Sequence, residues 1–311
     1  MYVVFAIYSI NDLYTCTNIL KLFLFADDTT VLFSSNGLPD LINTMNNELV
    51  FLTDWFSANM LSLNVEKTNY MLFSNRSATA PHLDLLLCNQ PVVNVHSTKF
   101  LGLLIDDKLT WKNHIQLVEK KLSTANFIIR NIRYKINQTT ALKIYDTLIS
   151  SFLTYCNILW GNTCKTYLVN IYRLQKRALR VCCEIKNLCS DVLFNTCNKL
   201  VLHNINKLQI AMLVHRYYYN VCDLPDSIIA LFVKVSNIHF HHTRSIDNLC
   251  LFTNFGRLNG RKNSVKIYAP MISQLLVLRF HLVWCIVRLR GRSLFDCKSR
   301  HFSKWRPNGY L

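Results

Sequence analysis

The sequence predicts an α+β fold, and three observations point to it. In residues 21–33, two apolar runs rich in strand-forming side chains flank two adjacent aspartates, the pattern of a β-hairpin. From Lys112 onward, apolar residues recur at steps of three and four, the period of helices with one buried face. Charge divides along the chain as well: residues 1–100 hold 4 Lys+Arg against 8 Asp+Glu, net −4, and residues 101–311 hold 31 against 10, net +21. A basic second part favours a polyanionic partner, nucleic acid before membrane, through phosphate neutralisation and counterion release.

With 311 residues and 51% hydrophobic content, the chain can bury a real core, which excludes a disordered tail. The twelve cysteines invite a disulfide framework, but Met1 to Ile10 lacks a basic start and no small-residue cleavage site follows. The expectation is reduced thiols, no disulfide-linked partner, and an intracellular setting, cytoplasm or nucleus.

Taken in order, Met1 to Leu13 reads as an apolar helix under the hairpin. Lys21 to Phe33 is the hairpin, with Asp27 and Asp28 at its tip, where carboxylates reach water; an ordinary acidic turn is the plain alternative. Leu41, Met45, Leu49, Leu52 and Phe56 lie at helical spacing behind Pro39 and Asp40, with Asn43, Asn46, Asn47 and Glu48 expected outside. Trp55 and Phe56 read as core. Asn69 to Phe73 reads as a strand, and Val92–Val95 with Lys99–Ile105 as a second hairpin. Gly102 within that apolar run marks either a close backbone approach or a β-bulge. The Asp106–Asp107 pair reads as turn and helix cap rather than metal site.

Three amphipathic helices follow. Val118, Leu122, Ala125, Ile129 and Ile132 face inward on the first, leaving Lys120, Lys121, Arg130 and Arg133 outside. Leu142, Tyr145, Ile149 and Phe152 form the stripe of the second. The third buries Ile171, Leu174, Ala178 and Val181 and presents Arg173, Lys176, Arg177 and Arg180 on another face, the best phosphate-binding surface in the sequence. Four cations without a compensating acid are unusual for a face that is merely solvated.

Cys182, Cys183, Cys189, Cys197 and His203 form the densest cluster of metal-ligating types, but no Cys-x-x-Cys pair is present, so core packing is expected. Cys285, Cys297 and His301 are too irregularly spaced for zinc. His239, His241 and His242 read as surface. Gln274 to Arg290 is apolar but too short and too charged for a membrane span.

Several of these segments resemble, in order, the reverse transcriptase of jockey-like non-LTR retrotransposons. Phe25-Ala26-Asp27-Asp28 is similar to that family's metal-binding signature, and Phe5 to Leu13 to the helix before it. Leu61-Ser62-Leu63-Asn64-Val65-Glu66-Lys67-Thr68 resembles the next polymerase motif. Ser97 to Asp106, with Leu109-Thr110-Trp111 and His114-Ile115, resembles the primer grip and the start of the thumb. Leu174 to Arg180 recurs in such elements too.

The resemblance implies a partial right-hand polymerase palm over residues 1–115, a helical thumb over 116–215 and a basic C-terminal extension over 216–311. It also implies an RNA template, a DNA primer, deoxynucleotides and Mg²⁺. Asp27 is the expected direct metal ligand and Asp28 the supporting one. Lys67 is either a proton donor to departing pyrophosphate or a surface or phosphate-contacting lysine. Phe100, Leu101 and Gly102 fall in the primer-gripping segment.

The family's fingers, first aspartate motif and Gln-Gly-Ser-type loop have no counterpart here, so a truncated and inactive polymerase fragment is expected. Two-metal nucleotide addition needs carboxylates from separate strands, and one adjacent pair does not supply them. A non-catalytic basic helical nucleic-acid-binding protein and a decayed product of such an element are the alternatives.

Overall fold

In the computed structural model the described residues are 12–26, 28–73, 83–185, 188–219, 223–233 and 237. Expectations placed on Met1 to Asn11, on Asp27, and on most of the chain beyond Val233, including its histidines and final cysteines, lie outside them. The described part is mixed α+β, mostly helical with small antiparallel hairpins. It divides into two units, with the boundary between His114 and Ile115.

The first unit opens with a 3-10 turn, Leu13–Cys16, whose Leu13 is buried. Strands β1 (Lys21–Phe25) and β2 (Asp28–Leu32) then pair antiparallel from Lys21 opposite Leu32 to Phe25 opposite Asp28. Helix α1, Leu38–Ala58, follows. Gly37 caps it in extended conformation, Pro39 occupies its first turn where no amide proton is needed, and Asp40 complements the positive helix end.

One side of α1 packs Leu52 and Phe56 against Leu13, Leu20, Leu22 and Val31. The other places Leu41, Ile42 and Met45 over a second cluster built from Leu83, Leu85, Leu87 and Val92. Trp55 joins the first cluster, edge-on to Phe56 at 5.3 Å, as a core residue should.

Glu48 departs from the amphipathic expectation. It is buried and accepts a hydrogen bond from the Thr17 hydroxyl, whose oxygen in turn accepts from the amides of Ile19 and Leu20. A carboxylate is tolerated there because it holds the chain leading into β1 onto α1. Asn46, also expected outside, is half-buried and clips the Asp84–Leu86 backbone at 3.0 Å on both sides of its amide.

The remaining strands are short: β3 (Asn69–Tyr70), β4 (Leu86–Leu87), β5 (Gln90–Pro91) and β6 (Val93–Asn94). The strand expected over Asn69–Phe73 is thus two residues long, and it pairs parallel with β6. Consequently Val92–Val95 is no partner of Lys99–Ile105. The second long hairpin is instead β7 (Ser97–Phe100) with β8 (Leu103–Asp106). Phe100 pairs with Leu103, and Leu101 and Gly102 have φ of 45° and 84°. Two successive positive φ values define a two-residue hairpin turn of the primed class, so Gly102 is neither mid-strand nor a bulge.

Asp106 is buried and caps the next turn, accepting from the Thr110 amide and hydroxyl and from the Trp111 amide at 2.8–2.9 Å. The structural reading of the Asp106–Asp107 pair therefore holds.

The second unit is helical. Helix α2, Lys112–Ile132, buries Val118, Leu122, Ala125 and Ile129 on the expected stripe. A 3-10 turn, Arg133–Lys135, ends it. Helix α3 (Gln138–Tyr145) runs through a π turn (Asp146–Ser150) into α4 (Ser151–Thr154).

The buried residues on that stretch are Ala141, Tyr145, Ile149 and Leu153, whereas Leu142 and Phe152 are only half-buried. In a regular helix each step of four drifts by about 40° around the axis, and a wider π turn absorbs the drift. That is why the inward stripe keeps a strict spacing of four. Helices α5 (Asn157–Trp160), α6 (Lys165–Cys183), α7 (Ser190–Thr196), α8 (Leu202–Tyr219) and α9 (Asp226–Ile229) complete the described part.

Candidate nucleic-acid interface

Helix α6 is held to its neighbours by buried polar contacts that periodicity does not announce. Asn126 on α2 donates to the carbonyls of Leu122 and Leu174, at 2.9 and 3.2 Å. Gln175 is fully buried, donating to the Tyr145 hydroxyl and the Leu200 carbonyl and accepting from the Leu202 amide. With Ile171, Ala178, Leu179 and Cys182 also buried, the opposite face of α6 is left to solvent.

That face carries Arg173, Lys176, Arg177 and Arg180, which line one groove of about 740 Å³. Arg130 from the last turn of α2, with Arg133 and Tyr134 from the 3-10 turn, forms the facing wall, and among the described residues Glu184 is the one acidic side chain of the lining. The four residues singled out on α6 are therefore brought together. Arg130, Arg133 and Tyr134 were not included with them, because their proximity depends on how two helices pack. An Arg-x-x-Arg-Tyr run ending a helix was the available signal.

The six cations are not equivalent. Arg133, expected outside, is half-buried: it donates to the carbonyls of Cys182 and Ile136 at 3.0 and 2.7 Å, and its guanidinium lies 3.3 Å from Glu184. It joins the ends of α2 and α6 and serves architecture. Lys176 sits 4.5 Å above the Tyr172 ring and donates to the Ser190 hydroxyl at 3.4 Å. Arg180 reaches the Leu188 carbonyl at 3.5 Å, and its Nε is buried without a partner among the described residues. Arg130, Arg173 and Arg177 are exposed and make no ion pair among the described residues. Arg173 donates to the Asn170 side chain at 3.4 Å, and Tyr134, 76% exposed beside these arginines, has the Lys135 ammonium 5.5 Å from its ring centre. Guanidinium forks match phosphate oxygens, and an exposed aromatic ring is the kind of side chain on which a base stacks.

In the first unit, Asp28 lies exposed at the start of β2. It lines an open recess with Phe23, Phe25, Lys99, Phe100 and Leu101. The hairpin carboxylate and two of the three residues singled out on β7–β8 thus share a recess, while Gly102 is outside its lining. Lys67 is elsewhere, exposed on the 3-10 turn Val65–Lys67, with its backbone amide donating to Asn64 at 3.1 Å. Among the described residues no three His, Cys, Asp or Glu side chains converge as a metal site. The described carboxylates therefore do not amount to a magnesium cage.

Cys182, Cys183 and Cys197 are buried, while Cys189 and His203 are exposed, so the cysteine cluster is mostly core. Burial pushes the Cys182 thiol up to about 11 and the Cys197 thiol up to about 12. No helix among the described residues is long and apolar enough to cross a membrane.

Comparison with known proteins adds the decisive relation. Over 161 residues the chain is 27% identical to the RNA-directed DNA polymerase from mobile element jockey of Drosophila melanogaster. Over 160 residues it is 23% identical to the probable RNA-directed DNA polymerase from transposon X-element of the same fly. The chain is a distant homologue of jockey-type non-LTR reverse transcriptases. A jockey polymerase of Drosophila funebris is 25% identical over 160 residues. In each case the match takes in 50% of this chain and 17% of the jockey-type or X-element relative, so the chain corresponds to a small part of those proteins. No protein-family model matches the chain, and no solved structure does.

Proposed function

We propose that this chain is part of an RNA-directed DNA polymerase of a jockey-like mobile element and that the basic groove of its second unit holds a nucleic-acid backbone. Residues 1–115 are part of the palm, 116–215 the thumb, and 216–311 a basic C-terminal extension. The carrying observation is the groove itself, in which, among the described residues, six cations face a single carboxylate. Such a surface binds phosphates with little regard to sequence, as a template–primer tract requires.

RNA template, DNA primer and deoxynucleotides follow as partners from the relatives, and an intracellular setting, cytoplasm or nucleus, follows from those partners. Magnesium enters in the same way, with Asp27 and Asp28 as its expected ligands and Lys67 as the candidate proton donor. Phe100, Leu101 and Gly102 are assigned to the primer, supported by the recess that Phe100 and Leu101 share with Asp28.

The second reading is a non-catalytic nucleic-acid-binding protein, favoured by a basic groove in the second unit while no three described carboxylate, His or Cys side chains converge as a metal site. Two assays on the 311-residue chain separate these outcomes. Binding of a labelled oligonucleotide titrated with salt is expected to give a log–log slope of about −3 or steeper, the mark of several displaced counterions; a flat titration overturns the groove. Template-dependent incorporation with Mg²⁺ is expected to give no product from this chain alone. Product abolished by Asp27→Ala would show that the carboxylate set is complete and remove the second reading.

A further inference from the structure

We propose that Cys183 and Cys197 are an oxidisable dithiol whose closure to a disulfide staples one wall of the basic groove. Cys183 is the last residue of α6 and Cys197 directly follows α7; both are buried, and their sulfurs lie 2.6 Å apart. A disulfide spans about 2.05 Å, so the two sulfurs stand about half an ångström from bonding distance. The neighbouring Cys182 is committed elsewhere, its sulfur 3.5 Å from the Ala141 carbonyl, and Cys189 is exposed on the surface. The pair is therefore specific.

Described residues between the two sulfurs line the groove or bond to its cations. Glu184 and Ile185 line it, the Leu188 carbonyl accepts from Arg180, and the Ser190 hydroxyl accepts from Lys176. A covalent link at its ends limits how far these groups move and pre-organises two of the phosphate-binding cations.

The oxidant is a hydroperoxide. One sulfur attacks a peroxide oxygen as its proton leaves; the O–O bond breaks, that sulfur becomes a sulfenic acid, and the other peroxide oxygen leaves as water. The second thiol attacks that sulfur, the S–S bond forms, the S–O bond breaks, and a second water leaves. In total two thiols and one hydrogen peroxide give one disulfide and two waters. A thiol reductant reverses the change.

The disulfide stands independently of any ligand, whereas its consequence rests on the groove reading. The full chain, reduced and desalted, is treated with hydrogen peroxide, alkylated, digested without reductant and sequenced by tandem mass spectrometry. The expected product is a peptide pair joined through Cys183 and Cys197, reversed by dithiothreitol and absent from C197S. Recovery of both cysteines alkylated, or bridges running to Cys182 or Cys189 instead, overturns the proposal. In parallel, dissociation of a fluorescent single-stranded oligoribonucleotide is expected to slow by about threefold on oxidation of the wild type and not of C197S. A mapped bridge with unchanged dissociation removes the staple's part in binding. Absence of binding in both redox states removes the groove reading while the mapped bridge stands.

Discussion

The side-chain amide of Gln175 donates to the hydroxyl of Tyr145 at 3.1 Å, where both residues are almost wholly shielded from water. The same amide donates to Leu200 and accepts from the Leu202 amide, so one polar side chain joins α6, α3 and the start of α8. Gln175→Leu leaves a backbone amide, a carbonyl and a phenol unpaired in the core and is expected to cost about 3 kcal/mol. Tyr145→Phe removes only one partner and is expected to cost about 1 kcal/mol. Urea denaturation followed by circular dichroism reads both, and equal losses would show that the network is not organised around Gln175.

Arg133 and Arg177 line the same groove with different duties, and mutation separates them. Arg133→Ala removes two backbone contacts and is expected to lower unfolding stability by about 2 kcal/mol while changing the salt slope little. Arg173→Glu combined with Arg177→Glu is expected to leave stability nearly unchanged and flatten the slope of oligonucleotide binding by about 1.5. An unchanged slope in the double variant would remove this face as the binding surface.

The turn between β7 and β8 holds Leu101 at φ 45°, a left-handed conformation that a branched side chain adopts at a cost of about 1 kcal/mol. Asparagine suits that position ahead of Gly102, so Leu101→Asn is expected to raise stability by about 1 kcal/mol, and Gly102→Ala to lower it by a similar amount. Thermal denaturation checks both signs; a destabilised Leu101→Asn would mean that Leu101 makes packing contacts that outweigh its backbone strain.

Alkaline pH should destabilise the second unit. Burial raises the Cys182 thiol from an ordinary 9.0 to about 11 and Cys197 to about 12. Because the folded values lie above the unfolded ones, the stabilisation is complete below pH about 9 and is lost as pH rises toward 11 and 12. On the acid side, desolvation lowers His215 below 6.5, so its contribution is present above that value and fades as the unfolded chain takes up protons below it. Urea midpoints across the pH range should fall at both ends; C182S together with C197S should flatten the alkaline limb.

Much of this architecture is legible from local pattern alone. The β1–β2 hairpin, α1 behind Pro39, the Asp106 cap and the stripe of α2 all arise from contacts within a few residues, where side-chain period and turn chemistry suffice. The reading fails where a residue's partner is distant in sequence. Glu48 looks like a solvent residue until Thr17, 31 positions earlier, is folded against it. Val93 looks like part of a hairpin until β3 takes it as a parallel partner. Leu142 and Phe152 look like a stripe until the π turn changes the phase between them.

The candidate site divides in the same way. By itself the sequence determined that one face of α6 is basic, that two adjacent aspartates follow a strand, and that these motifs resemble those of a retrotransposon polymerase. Charge, period and motif order are properties of the chain and need no third dimension. Only the tertiary structure decided that Arg130 and Tyr134 face that basic stripe across a groove, that Arg133 is tied to carbonyls and Arg177 is not, and that Cys183 meets Cys197. Those relations follow from helix packing set by buried Gln175 and Asn126, whose hydrogen bonds to other elements span 25 to 48 positions in sequence.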